Sequence, residues 1–325
     1  MEYGGVSFPW DSATVLCLII IGAALWVAFA LYEWKLAKYP VMPTRIFRHV
    51  SNAASLGVCF CHAFVFIAGA YYLPLYFQSV LGTTPILSGV YVLPTTISLS
   101  VASIATGIFI RKTGLYRPPI FVGLLLMIAG YGLFINFGPT RVWTKLILYQ
   151  VVAGLGTGPN FQAPLIALQS GIHPRDIATA TATFGFTRNT ASAISVVIGG
   201  VIFQSFMAKH EASLAASVGP ALASRLAAGG IGAAVPVVDA LPTAQRDAVR
   251  AAAADSLHYI WILYVAVAGA GLAIALLIRK NELKRTHEET RTGIEAERAN
   301  REAVAQEKAA RVEAKAAKRA STSKR

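Results

Sequence analysis

Carboxylates are nearly missing from the first two thirds of this sequence. No Asp or Glu occurs between Glu33 and Asp176, and none again between Asp176 and Glu211. From Arg48 to Arg111 charge of either sign is absent, which is long enough for two helices that each cross roughly 30 Å of hydrocarbon with about 20 residues. A soluble domain has no reason to avoid charge over such lengths. With 55% hydrophobic and only 14% charged residues, the composition is that of a membrane protein. Cysteine is scarce too. Cys17, Cys59 and Cys61 all lie in apolar runs, which excludes a disulfide framework and a Cys/His metal site, so no cofactor or metal is expected.

A net charge of +13 raises the question of nucleic acid, but the cations are distributed against it. They sit in short turns between apolar runs and in the tail from Arg279 to Arg325, where membrane proteins place Lys and Arg on the cytoplasmic side. The first apolar run follows the acidic, aromatic opening MEYGGVSFPWDS and is as long as a full span, unlike a cleaved signal peptide.

Apolar length and absence of charge predict an all-α integral membrane protein with about seven transmembrane helices, at roughly 12–32, 53–80, 86–110, 118–137, 145–169, 184–206 and 258–279. Turn chemistry separates them: GTTP at Gly82–Pro85, RKTGLYRPP at Arg111–Pro119, FGPTR at Phe137–Arg141 and GIHPRD at Gly171–Asp176. Lys35, Lys38, Arg45, Arg48, Arg111, Lys112, Arg117, Arg175 and the tail fall on one side, whereas the other short loops hold only Arg141 and Lys145. The first side is cytoplasmic by this count. The organisation expected is an outer segment 1–11, a first helix 12–32, a cytoplasmic connection 33–52, a six-helix bundle 53–279 with a solvated extracellular insertion 207–257, and a charged cytoplasmic tail 280–325. The tail carries helix-supporting pairs four apart, such as Glu297 with Arg301, but too few apolar residues for a coiled-coil seam.

Several residues stand out against the apolar background. Arg188, in FGFTRNTAS, is a permanent charge between apolar flanks; it marks a functional position beside Asn189, or it snorkels to the cytoplasmic interface if the span starts near Phe184. His62, in GVCFCHAFVF, serves a proton relay or is a neutral packing group. Gly154, Gly156, Gly158, Pro159 and Pro164 crowd one run, VAGLGTGPNFQAPLIALQ, and allow a helix to bend or to pack closely. Gln150, Asn160, Gln162 and Gln169, in the same region, need internal partners or a wet cavity. A phosphate-binding loop is excluded there because no Lys-Ser/Thr ending and no preceding strand exist. Tyr71 and Gln78, in AYYLPLYFQSVLG, belong to an interfacial belt or line a cavity for flat hydrophobic compounds.

The segments PVMPTRIF, YYLPLYFQSVLGTTPILSGVYVLP, GTGPNFQAPLIALQ and ATATATFGFTRNTASAISVVIGGVIFQ, in that order, resemble the fungal fourteen-span drug:proton antiporter branch of the major facilitator superfamily, over roughly residues 5 to 280. GIFIRKTGLYR looks like a degenerate copy of the superfamily's cytoplasmic loop motif: Gly107, Arg111, Lys112, Gly114 and Arg117 stand, and the acidic member is missing. The resemblance implies that the six spans from 53 onward form a carboxyl-terminal bundle and that 12–32 is a linking helix. It implies efflux of a small hydrophobic compound, a drug or toxin, by proton-coupled alternating access in a plasma or vacuolar membrane. His62, Tyr71, Gln78, Gln162, Arg188 and Asn189 would then line the substrate cavity. No amino-terminal bundle is present in the sequence, so the expectation is an incomplete carrier, a processed half or one subunit of a split one, with proton binding on the missing half. A non-transporting seven-helix receptor or scaffold is the other class open. A membrane enzyme is not expected, since no paired carboxylates, His pair or Ser-His-Asp set can be assembled from the spans.

Overall fold

The computed structural model describes residues 12–36, 42, 44–228 and 230–280. The outer segment 1–11, part of the basic connection including Lys38, and the tail from residue 281 lie outside the described residues, and so do the expectations that fall on them. Every regular element among the described residues is helical. In chain order they are α1 (Ala13–Leu31), α2 (Thr44–Phe47), α3 (Val50–Ser79), α4 (Pro85–Tyr91), α5 (Leu93–Thr113), α6 (Arg117–Phe134), α7 (Trp143–Thr157), α8 (Ala163–Ser170), α9 (Ile177–Lys209), α10 (Glu211–Val218), α11 (Pro220–Ala227), α12 (Ile231–Asp239) and α13 (Thr243–Ala275).

Five stretches are long and apolar enough to cross a bilayer: α3, the pair α4 and α5 as one run of Pro85–Thr113, α6, α9 and α13. The other two predicted spans take a different form. The first corresponds to α1, apolar over the shorter stretch Ala13–Phe29. The run 145–169 is three pieces, α7, a 3-10 turn over Gly158–Phe161, and α8. Pro159 and Pro164 carry no N–H and each removes a bond from the helical ladder, here at a break, whereas α3 continues through Pro74.

α3 is the centre of the bundle. Of its most apolar stretch 67% is buried, against 22% for Pro85–Thr113, so α3 is surrounded by helices while α4 and α5 form an edge. Leu93, Ile97, Val101, Ile104 and Ile108 project from α5 on one exposed stripe, a surface that in water would aggregate and in a bilayer faces acyl chains. α1 stands apart, with Ile20, Leu25 and Val27 exposed. It meets the bundle where Trp26 and Phe29 lie 5.8 and 5.3 Å from the ring of Phe186 on α9.

Lipid tails are as apolar as leucine, so helix association inside a bilayer depends on close packing and interhelical hydrogen bonds. Both are present. A Cβ at Gly199 of α9 would come within 2.6 Å of the hydroxyls of Tyr72 on α3 and Tyr264 on α13. Tyr72 donates to Val196 O at 2.8 Å and Tyr264 to Ser195 O at 3.1 Å, pinning α9 to both neighbours.

The stretch 207–257 is helical and partly buried. α9 continues to Lys209, α10–α12 bury Leu214, Leu226, Ile231 and Val238, and α13 begins at Thr243, fifteen residues before the predicted span. The sequence pattern hid this because the buried residues are mainly alanine and isolated aliphatics between charges. Two of those charges pair: Arg250 reaches Asp239 at 2.9 Å and His210 reaches Asp255 at 3.0 Å.

Candidate functional site

The broken helix is where the singled-out residues meet. Gly154 and Gly158, four apart on one face, lie against α5: a Cβ at Gly158 would be 2.6 Å from Leu99 O, and one at Gly154 would overlap the hydroxyl of Ser98. Gly156 faces the other way, and a Cβ there would overlap the Met127 backbone of α6. The helix is therefore wedged between two neighbours at backbone contact, for which only glycine leaves room.

A break inside a bundle exposes backbone carbonyls that need donors. Three carbonyls of this break receive side chains from three different helices. His62 on α3 places Nε2 3.0 Å from Thr157 O. Ser103 on α5 donates to Gly158 O at 2.9 Å, and Arg188 on α9 donates from Nη2 to Phe161 O at 2.9 Å. A carbonyl only accepts, so Nε2 of His62 carries the proton of that bond. Its Nδ1 is buried without a hydrogen-bond partner.

Phe161 binds the group together. The His62 ring meets it edge-on at 4.9 Å, as does Phe66 at 4.9 Å. The Arg188 guanidinium lies 5.0 Å from the Phe161 ring and 5.1 Å from that of Phe184, over faces that favour a cation. α9 starts at Ile177, so Arg188 stands about 16 Å along it, and its guanidinium donates to a carbonyl of the break. Its Nε is also buried and unpartnered.

The remaining candidates separate. Gln162 and Asn189, the chain neighbours of Phe161 and Arg188, are exposed beside the cluster. Tyr71 is exposed and packs on Tyr72, about 13 Å further along α3 than His62. Gln78 is about 24 Å along, and its amide is engaged with Ser88 at 3.0 Å, joining α3 to α4. The loop motif lies elsewhere: Gly114 takes φ +72° to cap α5, Arg111 and Lys112 are exposed, Arg117 opens α6, and Gly107 has open space around it. Ser103 and Phe161 escaped the sequence reading, because a serine or a phenylalanine in an apolar run is unexceptional until its neighbours are known, whereas Asn160, one of the polar residues of the run that needs an internal partner, is fully buried.

This arrangement meets its comparison at the family level. The sequence profile described as Major Facilitator Superfamily matches residues 2–196. The chain belongs to that superfamily. It is thus a member of a transporter family and not of an enzyme family, and an integral membrane protein. It is 53% identical over 92% of its length to "Efflux pump dotC" of Dothistroma septosporum, covering 51% of that protein. To "MFS-type transporter ppz2" of Metarhizium majus it is 49% identical over 93% of its length, covering 52% of that protein. The chain spans about half the length of these curated relatives. A bacterial homologue of the human lysosomal transporter Spinster, solved inward-facing and occupied, superposes with a TM-score of 0.55 over 76% of this chain and 52% of that one. At 18% identity that likeness concerns the fold alone.

Proposed function

We propose that this superfamily member serves the export of small hydrophobic compounds, drugs or toxins, by proton-coupled alternating access, as the carboxyl-terminal of two bundles. Residues 53–279 form the bundle and 12–32 a linking helix. The observation that carries the reading is the broken helix whose carbonyls are each held by one bond from α3, α5 and α9. Single bonds from separate helices are readily exchanged when helices shift, and carriers of this kind build their sites from discontinuous helices near the midplane. The name of one relative, an efflux pump, supports the direction of transport, and that of the other supports transport.

Proton coupling requires a group at membrane depth that gains and loses a proton. The spans up to α9 have no carboxylate to offer, so the second bundle supplies it. His62, Gln162, Arg188 and Asn189 line this bundle's part of the cavity, with Tyr71 and Gln78 toward its outer end. Export from the cell places the protein in the plasma membrane, with the tail from Lys280 in the cytoplasm by the distribution of Lys and Arg.

Efflux of a fluorescent hydrophobic dye from vesicles with an imposed pH gradient tests the reading, using this chain alone and this chain together with a superfamily amino-terminal bundle. Transport is expected only with both bundles, and Arg188→Ala is expected to abolish it while leaving membrane insertion unchanged. Normal efflux by Arg188→Ala would remove Arg188 from the mechanism.

A further inference from the structure

At the end of the bundle opposite α10–α12, the α5–α6 turn and the end of α13 enclose a cleft of about 310 Å³ lined by Gly114, Leu115, Tyr116, Arg117, Pro118, Phe121 and Lys280. That volume is at the lower end of the ~300–1,000 Å³ range of clefts that take small molecules. The walls are held in place. Tyr116 donates from its hydroxyl to Arg279 O at 2.8 Å, and Arg279 N donates to Ser51 Oγ at 3.1 Å, so Lys280 is brought beside Arg117.

Among the described residues the cleft is cationic without compensation; Glu282, two positions beyond Lys280 in the sequence, lies outside them. Among the described residues neither Arg117 nor Lys280 has an acidic partner. No carboxylate exists on α3, α5 or α6, and Asp255 is about 30 Å from the last residue of α13. The Nε of Arg117 is buried with no hydrogen-bond partner, while its guanidinium lies 5.7 Å from the Phe121 ring. Backbone donors cannot take the place of these side chains, because Pro118 and Pro119 remove N–H groups from the first turn of α6.

We propose that this cleft binds the phosphate of an anionic lipid headgroup, with Arg117 and Lys280 as its charge partners. A guanidinium with an unused N–H suits a phosphate oxygen, and an ammonium supplies a second positive point. The apolar side favours a lipid over a free anion. Phe121 forms the wall, and beyond it on α6 Val122 and Leu125 are 53% and 55% exposed, a track along which an acyl chain leaves the headgroup. Basic clefts between membrane helices bind lipid headgroups in this manner. The proposal concerns a lipid site and stands whether or not the chain exports anything.

Native mass spectrometry of the purified full chain in detergent tests it, with dioleoylphosphatidylglycerol or dioleoylphosphatidylcholine added. The wild type is expected to retain the glycerol lipid over the choline lipid. Arg117→Gln and Lys280→Gln are each expected to reduce that retention about fivefold, with Lys145→Gln, at the far end of the bundle, unchanged. Lys280 is exposed, so its variant carries the test even if Arg117→Gln folds poorly. Equal retention of the two lipids, or equal retention by wild type and Lys280→Gln, would overturn the site. Binding of millimolar inorganic phosphate that displaces the lipid would assign the cleft to a free anion and overturn the lipid.

Discussion

His62 and Arg188 illustrate how one polar residue serves two ends inside a bilayer. Each satisfies a carbonyl of the broken helix, and each keeps one buried nitrogen unpaired, His62 Nδ1 and Arg188 Nε. The satisfied nitrogen holds the broken helix, and the other has no hydrogen-bond partner. Replacing His62 with Phe removes the donor to Thr157 O and leaves a buried acceptor without it. Measured bonds of this type between membrane helices average ~0.6 and reach ~1.7 kcal/mol. A melting experiment in detergent is expected to show His62→Phe less stable by that order, with His62→Gln, which keeps an N–H donor, closer to wild type. If the two variants melt alike, the bond to Thr157 contributes nothing measurable.

At the scale of elements, α7 is the helix whose position the rest depends on. Its glycines let α5 and α6 approach to backbone contact on two faces, so side chains there force helices apart. Gly156→Leu overfills the contact with Met127 and is expected to cost at least the ~1–3 kcal/mol of core overpacking. Gly107, on the exposed face of α5, has nothing within 4 Å, and Gly107→Ala is expected to cost no stability. The pair of melting curves separates a packing role from a mere wealth of glycine. The short helices α10–α12 behave as part of the fold rather than an appendage, since Leu226 and Ala234 among them are fully buried.

On the scale of the molecule, apolar surface remains exposed along α1 and α5 because the solvent for those faces is lipid. Membranes washed with alkaline carbonate are expected to keep the chain in the pellet until detergent is added; recovery in the supernatant would contradict a bilayer-spanning bundle. That much was legible in the sequence, because a chain that must cross hydrocarbon has to exclude charge over whole spans, and Arg48 to Arg111 shows it directly. At Pro159 and Pro164 the sequence suggested a bend in one span over 145–169, and the structure has a break there. Which donors answer the break was not legible. His62, Ser103 and Arg188 are separated from it along the chain by as many as 95 residues, and their convergence on Thr157, Gly158 and Phe161 follows from how α3, α5 and α9 pack around the turn Gly158–Phe161 and α8. Charge avoidance acts through the residues where they stand, so sequence alone determined that the chain is a bundle of membrane helices. Hydrogen bonds between helices depend on their relative rotation and depth, which only the tertiary structure decided.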